Sequence, residues 1–316
     1  MLLHHTSGRW QLGLALSLVT ASIWGTLPNV LALALQIVDT YTLTWFRFAT
    51  SFVLLGIYLI VRHSLQPVAK QPQPKLTRLH LRSISLLLLI AVLGVGLDYP
   101  LYLLGMTYTS PANAEIVIQL APVSMGLGAI VIFKERYTLG QWAGVGVLTT
   151  GFGLFFHEQL RSLFTGTSTY LFGSGLVGLA AICWAAYALV QKQLLRYLAS
   201  ETVMLIIYGS CALLYFPVAD LAQFANLNLF QSGTLLLCGL STLISYGAFA
   251  EALEHWEASK ISAVQSLTPI ITIVTSWLLA AALPQLITPA QLSLVALSGA
   301  MLVIAGSMVI VLSQRQ

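Results

Sequence analysis

The sequence predicts an all-α integral membrane protein, with ten transmembrane helices arranged as two inverted five-helix repeats. Three observations lead there. Of the 316 residues, 58% are hydrophobic and only 8% are charged, against about 25% charged in an ordinary soluble domain. The apolar residues lie in long runs free of Asp, Glu, Lys and Arg, and the landmarks of the first half recur in the second. With a mean hydropathy of +0.87, a globule of this size has too few charges to solvate its surface. Lipid is therefore its solvent, and a soluble enzyme is excluded.

Each crossing takes about 20 apolar residues, and a charge at mid-bilayer costs about 2.5 kcal/mol or more, so charge-free runs mark the spans. Residues 10–38 form helix 1, and 40–61, with Arg47 alone, form helix 2. From 83 to 114 the sole charge is Asp98; this run covers helix 3 and the start of helix 4, split at Thr109, Ser110 and Pro111. Glu115 opens helix 4, which runs to Phe133, and helix 5 covers about 139–157. Helix 6 is expected over 170–191, helix 7 over 202–219, and helix 8 after a loop at 222–233, ending near Glu251. Residues 261–314 hold no such charge and break at Pro284 and Pro289 into helices 9 and 10. Continuous apolar runs without dyad alternation disfavour a β-barrel.

With the N-terminus inside, twelve of the 14 bases fall on the cytoplasmic side, Lys192 and the cluster at 62–82 among them. Only Arg161 lies outside, and Arg47 lies within the membrane. This asymmetry predicts cytoplasmic termini. The first ten residues lack a cleavage pattern, so helix 1 is expected to stay as an anchor. Cys183, Cys211 and Cys238 sit in apolar runs without paired or metal-like spacing and read as packing residues.

The repeat is explicit. Gly13 and Trp24 recur as Gly173 and Trp184, eleven residues apart in both cases; Pro122 recurs as Pro269; Gly144 and Gly151 recur as Gly299 and Gly306, seven apart. The two units are 1–157, with a cytoplasmic loop at 63–83, and 158–316. Glu115, Gln119 and Pro122 match Ser262, Ser266 and Pro269 at i, i+4, i+7, each set a polar stripe ending at a proline. Five crossings is an odd number, so the second unit enters from the opposite face. Inverted repeats with interrupted helices near mid-membrane predict alternating access, one half moving against the other around a shared site. Pro28 and Pro100 join Pro122 and Pro269 as expected kinks.

Several pieces carry a family resemblance: Ser22-Ile23-Trp24-Gly25, Trp45-Phe46-Arg47-Phe48, Leu120-Ala121-Pro122, Lys134-Glu135-Arg136, Gln141-Trp142-Ala143-Gly144, Cys183-Trp184-Ala185-Ala186-Tyr187 and Leu267-Thr268-Pro269. In order and duplication these resemble the drug/metabolite transporter superfamily, and within it the EamA-type ten-helix exporters. The resemblance spans essentially the whole chain. It implies export of small polar or amphipathic metabolites, such as amino acids, across the plasma or inner membrane, often driven by an ion gradient, with helices 1, 3, 4, 6, 8 and 9 lining the path. One departure is that Ala282-Leu283-Pro284 stands where the family often has an acid mirroring Glu135, which weakens a symmetric gate built on Glu135.

Ionisable residues inside a membrane are functional candidates because burying them is expensive. Arg47 reads either as a tether to a neighbouring carboxylate or as an anchor for a substrate carboxylate. Asp98 is the deepest charge. Tyr102 stands at i+4 from it, and Pro100 frees the carbonyl of Gly96; the site suits substrate or a proton, the alternative being an ion pair with Arg47. Glu115 opens the polar stripe of helix 4 and reads as a second proton carrier or a solvated cap. If Asp98, Glu115 and Arg47 were all ionised, the cavity would carry net −1, so one carboxylate is expected to hold a proton, Asp98 being preferred. Trp24, Tyr99, Tyr102, Trp184, Tyr187 and Tyr246 supply an apolar wall with hydroxyl handles for substrate, and Gln119 and Gln265 supply amides.

The expected partners are a small-molecule substrate, the lipid bilayer, and protons or another coupling ion, with the chain monomeric or weakly dimeric. No cofactor, metal, nucleic acid or catalytic residue is expected. Gly173 to Gly178 spells G-x-G-x-x-G but opens a membrane run without a preceding strand. The glycines from Gly140 to Gly153 suit close packing of helix 5 on a neighbour or another subunit. Three alternatives remain open: a sugar-phosphate or nucleotide-sugar exchanger, which wants several cavity bases; an intramembrane hydrolase, which needs a carboxylate dyad; and a non-transporting scaffold, which predicts no polar cavity between the halves.

Overall fold

The computed structural model describes residues 6–65, 78–109, 114–115, 117–157, 160–161, 168–282 and 293–313. No strand occurs among them. The main helices are α1 (Trp10–Ala34), α2 (Thr40–Leu65), α3 (Arg78–Tyr108), α4 (Leu120–Ile132), α5 (Leu139–Phe155), α6 (Ser168–Leu194), α7 (Ser200–Tyr215), α8 (Leu229–His255), α9 (Ala258–Gln265), α10 (Thr268–Ala282) and α11 (Leu294–Leu312). Among the described residues, eight stretches are long and apolar enough to cross a membrane, α9 and α10 together making one. The segments expected as helices 4 and 5 contribute shorter helices of 13 and 17 residues. The expected breaks at Pro111, Pro284 and Pro289 lie outside the described residues.

Local chemistry sets the helix ends. Asp39 caps α2, its carboxylate accepting from the backbone of Tyr41 at 2.8 Å and from the Thr42 hydroxyl at 2.5 Å. Burial pushes the Asp39 carboxyl up, but bonds from Thr42, Tyr41 and Gln223 outweigh it and hold the group below its ordinary value. Asn228 and Gln231, expected in a loop, instead form a reciprocal capping box. The polar residues that suggested a loop are those that start α8, which then runs past Glu251 to His255.

The four prolines divide into two kinds. α1 and α3 continue through Pro28 and Pro100, which lie inside their helices. The carbonyl of Gly96 that Pro100 leaves free accepts from the Tyr215 hydroxyl at 2.5 Å, so a neighbouring helix replaces the missing donor. The other two prolines sit just past real interruptions. The backbone turns at Gln119, ahead of α4 and Pro122, and at Ser266 and Leu267, between α9 and α10, ahead of Pro269. There the freed carbonyls are met locally: the Ala121 amide donates to Ile118 at 2.8 Å, and the Thr268 hydroxyl to Gln265 at 2.5 Å.

Packing interlocks the two halves. The most extensive contacts join α3 to α6, α5 to α11 and α1 to α8, followed by α2 with α8 and α7, α1 with α10, and α4 with α6. Each pair takes one helix from either half, so the halves are not separate lobes, and rigid motion of one against the other would shear every one of these interfaces. Glycines permit the closest approaches. A Cβ on Gly299 would stand 2.2 Å from the Phe155 nitrogen, and one on Gly306 2.5 Å from that of Leu148. The repeated glycines thus seat α5 against α11 within the same chain. Two trios emerge, one of α3, α4 and α6, the other of α1, α8 and the α9–α10 pair.

Candidate functional site

A cavity of about 140 Å³ lies where the trios meet. α1 contributes Trp24, Leu27, Pro28 and Leu31; α2 contributes Arg47; α3 contributes Asp98, Tyr99, Tyr102 and Leu103. Glu115, Ile118, Gln119, Ala121 and Pro122 come from the turn into α4, Trp184 from α6, Tyr246 from α8, and Gln265 and Thr268 from the α9–α10 break. Both interruptions therefore place backbone and amide groups at the cavity wall, the one setting in which irregular backbone is tolerated at membrane depth.

The aromatic wall is continuous. Trp24 and Trp184, the repeat-related pair, meet edge to face at 5.3 Å, and Tyr246 packs against Trp24 at 5.2 Å. Tyr187 does not line the cavity. It is fully buried behind it, 5.7 Å from Tyr246 by ring centroid, with its hydroxyl directed at the Met204 sulfur. Its neighbour Trp184, three positions back on the same helix, takes the wall position instead.

Arg47 is held by α8 and α3. Its Nε donates to the Thr242 hydroxyl at 2.9 Å and its Nη2 to the Tyr99 hydroxyl at 3.4 Å, with the guanidinium 4.4 Å from the Tyr99 ring centroid. Among the described residues no ion pair joins it to Asp98, so α2 is tied to α3 through Tyr99 rather than through a carboxylate. Asp98 is buried with Arg47 and Tyr246 as its electrostatic neighbours. Glu115 is buried rather than a solvated cap. Its Oε1 accepts from the Tyr102 hydroxyl at 2.7 Å, while Oε2 has no partner. The Gln119 amide nitrogen donates to the Glu115 carbonyl and that of Gln265 to the Ser17 carbonyl, both at 3.3 Å, and neither amide oxygen has a partner.

At the end of the molecule that carries the N-terminus the trios are bridged. Lys192 of α6, counted from sequence among the cytoplasmic bases, is 2% exposed and pairs with Glu135, 11% exposed, at 2.7 Å. Its ammonium also stands 4.9 Å from the Phe133 ring centroid. The Glu135 carboxylate accepts from the Ala258 and Ser259 amides, each at 3.1 Å, and so caps the first turn of α9. Burial pushes the Glu135 carboxyl up, but Lys192 and the Ser259 contacts more than offset this and hold it below its ordinary value. One carboxylate thus ties α4 and α6 to α9.

Sequence reasoning missed the apolar part of the wall. Leu27, Leu31, Leu103 and Ile118 look like any lipid-facing leucine or isoleucine, and no signal in a single sequence separates them. Thr268 was within reach, since a hydroxyl beside Pro269 is a natural donor to the carbonyl the proline frees.

The helices and the charged, aromatic cavity between them define a multi-pass integral membrane protein built as a transporter. A family model described as the EamA-like transporter family matches residues 11–156 and again 171–312. The chain belongs to this family. It is 33% identical over 304 residues to a protein of Escherichia coli K12 named "Uncharacterized inner membrane transporter YhbE", covering 96% of this chain and 92% of that one. It is 32% identical over 296 residues to an "Uncharacterized transporter" of Haemophilus influenzae, covering 94% and 93%. A solved structure titled "Crystal structure of protein" shares the fold with a TM-score of 0.69 at 17% identity, covering 97% of this chain and 99% of that one.

Proposed function

We propose that this transporter is a secondary active exporter of small polar or amphipathic metabolites, amino acids among them. It works by alternating access in the inner membrane with both termini cytoplasmic. The observation that carries the reading is the cavity itself, lined by two carboxylates, one guanidinium and an aromatic wall, and placed between two trios of helices. Packing supports the inverted repeat. Number the spans one to ten, with α9 and α10 as the ninth and α11 as the tenth. Exchanging each span with the one five places away then turns the 3–6 contact into 8–1, 2–8 into 7–3 and 4–6 into 9–1, all observed.

Because the halves interlock, the moving bodies are the trios. In this reading Glu135 bridges them at the cytoplasmic end and the present arrangement is the one closed to the cytoplasm. Inward opening requires the Ala258 and Ser259 amides to leave Glu135. The cytoplasmic closure has no charged counterpart at the other end of the ninth span, since residues 261–314 hold no Asp, Glu, Lys or Arg. A bistable interface of this kind is what a transported ligand biases.

The reading includes proton coupling, with Asp98 as carrier. Reconstituted transport is measured with and without an imposed pH gradient for wild type and Asp98→Asn. The gradient is expected to accelerate the wild type alone; equal rates throughout would end the coupling idea.

A further inference from the structure

Among the described residues, Arg47 is the only cation in the cavity wall, and no carboxylate pairs with it. It is 3% exposed, and a guanidinium does not give up its charge. Its two partners are neutral hydroxyls, Thr242 on Nε at 2.9 Å and Tyr99 on Nη2 at 3.4 Å. The Thr242 oxygen is set to receive Nε, because its own proton goes to the Cys238 carbonyl at 3.0 Å. Asp98 is an electrostatic neighbour, but it is the carboxylate that the transporter reading keeps protonated, and Glu115 is bonded to Tyr102. A buried charge without a counter-ion is expensive. The face of Tyr99, 4.4 Å away, offsets only part of that cost.

The guanidinium also has a free end. Of its five N–H groups, the two hydroxyls take one on Nε and one on Nη2. Both N–H groups of Nη1 and the second of Nη2 remain, side by side at the tip of the fork. Nη1 has no partner among the described residues and is not a closed-off atom. Part of the small exposure of Arg47 therefore belongs to Nη1, and the space it meets is the cavity that this residue lines.

We propose that this free edge is the specificity-determining subsite for a monocarboxylate, which supplies the missing charge and matches two parallel N–H donors. Thr242 of α8 and Tyr99 of α3 are its positioning residues, fixing the fork between the two trios. A single base suits a single negative charge, whereas a phosphate dianion would be only half neutralised. The body of the ligand is apolar or aromatic, because Trp24, Leu27, Leu31, Leu103, Trp184 and Tyr246 make up much of the wall. The inference rests on the transporter reading and narrows it to solutes that carry a carboxylate on such a body.

The test is isothermal titration of the purified full chain with hydrocinnamate, its neutral amide hydrocinnamide, and phenethylamine as a cation of similar size. The carboxylate is expected to bind about tenfold or more tightly than the amide, and the cation more weakly than both. Thr242→Val removes the acceptor for Nε and is expected to weaken hydrocinnamate about tenfold while leaving hydrocinnamide unchanged, and Thr242→Ser is expected to restore the preference. Arg47→Gln is expected to bind acid and amide equally. Equal binding of acid and amide by the wild type, tighter binding of phenethylamine, or no binding of any probe would overturn the proposal, as would a Thr242→Val chain that loses acid and amide alike. Displacement of hydrocinnamate by sodium chloride at equal concentration would also overturn it, assigning the fork to an inorganic anion. None of these results touches the transporter reading. That reading falls instead if a cavity cysteine at Ala121 is reached from one side of the membrane only, whatever the preference for acid over amide.

Discussion

Removing the Glu135 carboxylate should open the end of the protein that Glu135 bridges. Glu135→Ala deletes the 2.7 Å ion pair to Lys192 and two 3.1 Å bonds from the Ala258 and Ser259 amides. It leaves an ammonium that is 2% exposed without its counter-ion. Breaking one partner out of a buried pair costs about 3–5 kcal/mol. If that cost is relieved by separating the trios, the open population rises by roughly a hundredfold or more, at about 1.4 kcal/mol per tenfold. Ser262 is the reporter. It is buried on α9, and its hydroxyl lies 2.8 Å from where a Cβ on Gly126 of α4 would stand, so it is exposed only when the trios part. In a background without native cysteines, Ser262→Cys should react with a membrane-impermeant maleimide in inverted vesicles far faster when Glu135→Ala is present. The double variant Glu135→Ala, Lys192→Met removes the stranded charge while still lacking the α9 cap, so it should regain thermal stability yet remain reactive. Unchanged labelling in Glu135→Ala would refute the latch, as would a double variant that recovers both stability and protection.

Other expectations follow from the same geometry. Since Glu135 is held below its ordinary pKa, its contribution is complete above the unfolded value of about 4.3 and is lost as pH falls through the lower folded value. The Tm difference between wild type and Glu135→Gln should therefore be constant at neutral pH and shrink only below about pH 4.3. Arg47→Lys should abolish most transport without unfolding the chain, because an ammonium cannot reproduce both the Thr242 bond and the stack on Tyr99; retained transport would argue against a role for the guanidinium. Gly299→Ala should destabilise by about 1–3 kcal/mol, read as a fall in Tm in detergent, because its Cβ meets the backbone of Phe155. Tyr215→Phe should destabilise by about 1–3 kcal/mol by orphaning the Gly96 carbonyl that Pro100 leaves unbonded.

What sequence could reveal follows from what membranes penalise. Charges are expensive in lipid, so charge-free runs located the long helices, and the rare exceptions, Arg47, Asp98 and Glu115, all line the cavity. The prolines were ambiguous, because whether a missing N–H breaks a helix depends on a donor elsewhere in the fold: Tyr215 serves Pro100, whereas Gln119 and Ser266 mark true interruptions. Asn228 and Gln231 misled because capping residues and loop residues are the same residue types. Charge counting assigned Lys192 a side of the membrane and not a partner; its burial depends on Glu135, 57 positions away. The interlocking of the halves left no local trace, since repeats specify which helices are equivalent and not which ones touch. The unpartnered oxygens of Gln119 and Gln265 were equally invisible, being defined by the carbonyls their nitrogens reach.

The most direct measurement concerns Ala121, a small residue in the cavity wall. Ala121→Cys, in a chain without other cysteines, is labelled with an impermeant reagent in right-side-out and in inverted vesicles, with the Glu135 latch intact and with it removed. Alternating access between the trios predicts labelling from outside when the latch is intact and a switch to the cytoplasmic side when Glu135→Ala is added. A cysteine there that reacts from one side alone under both conditions would contradict it.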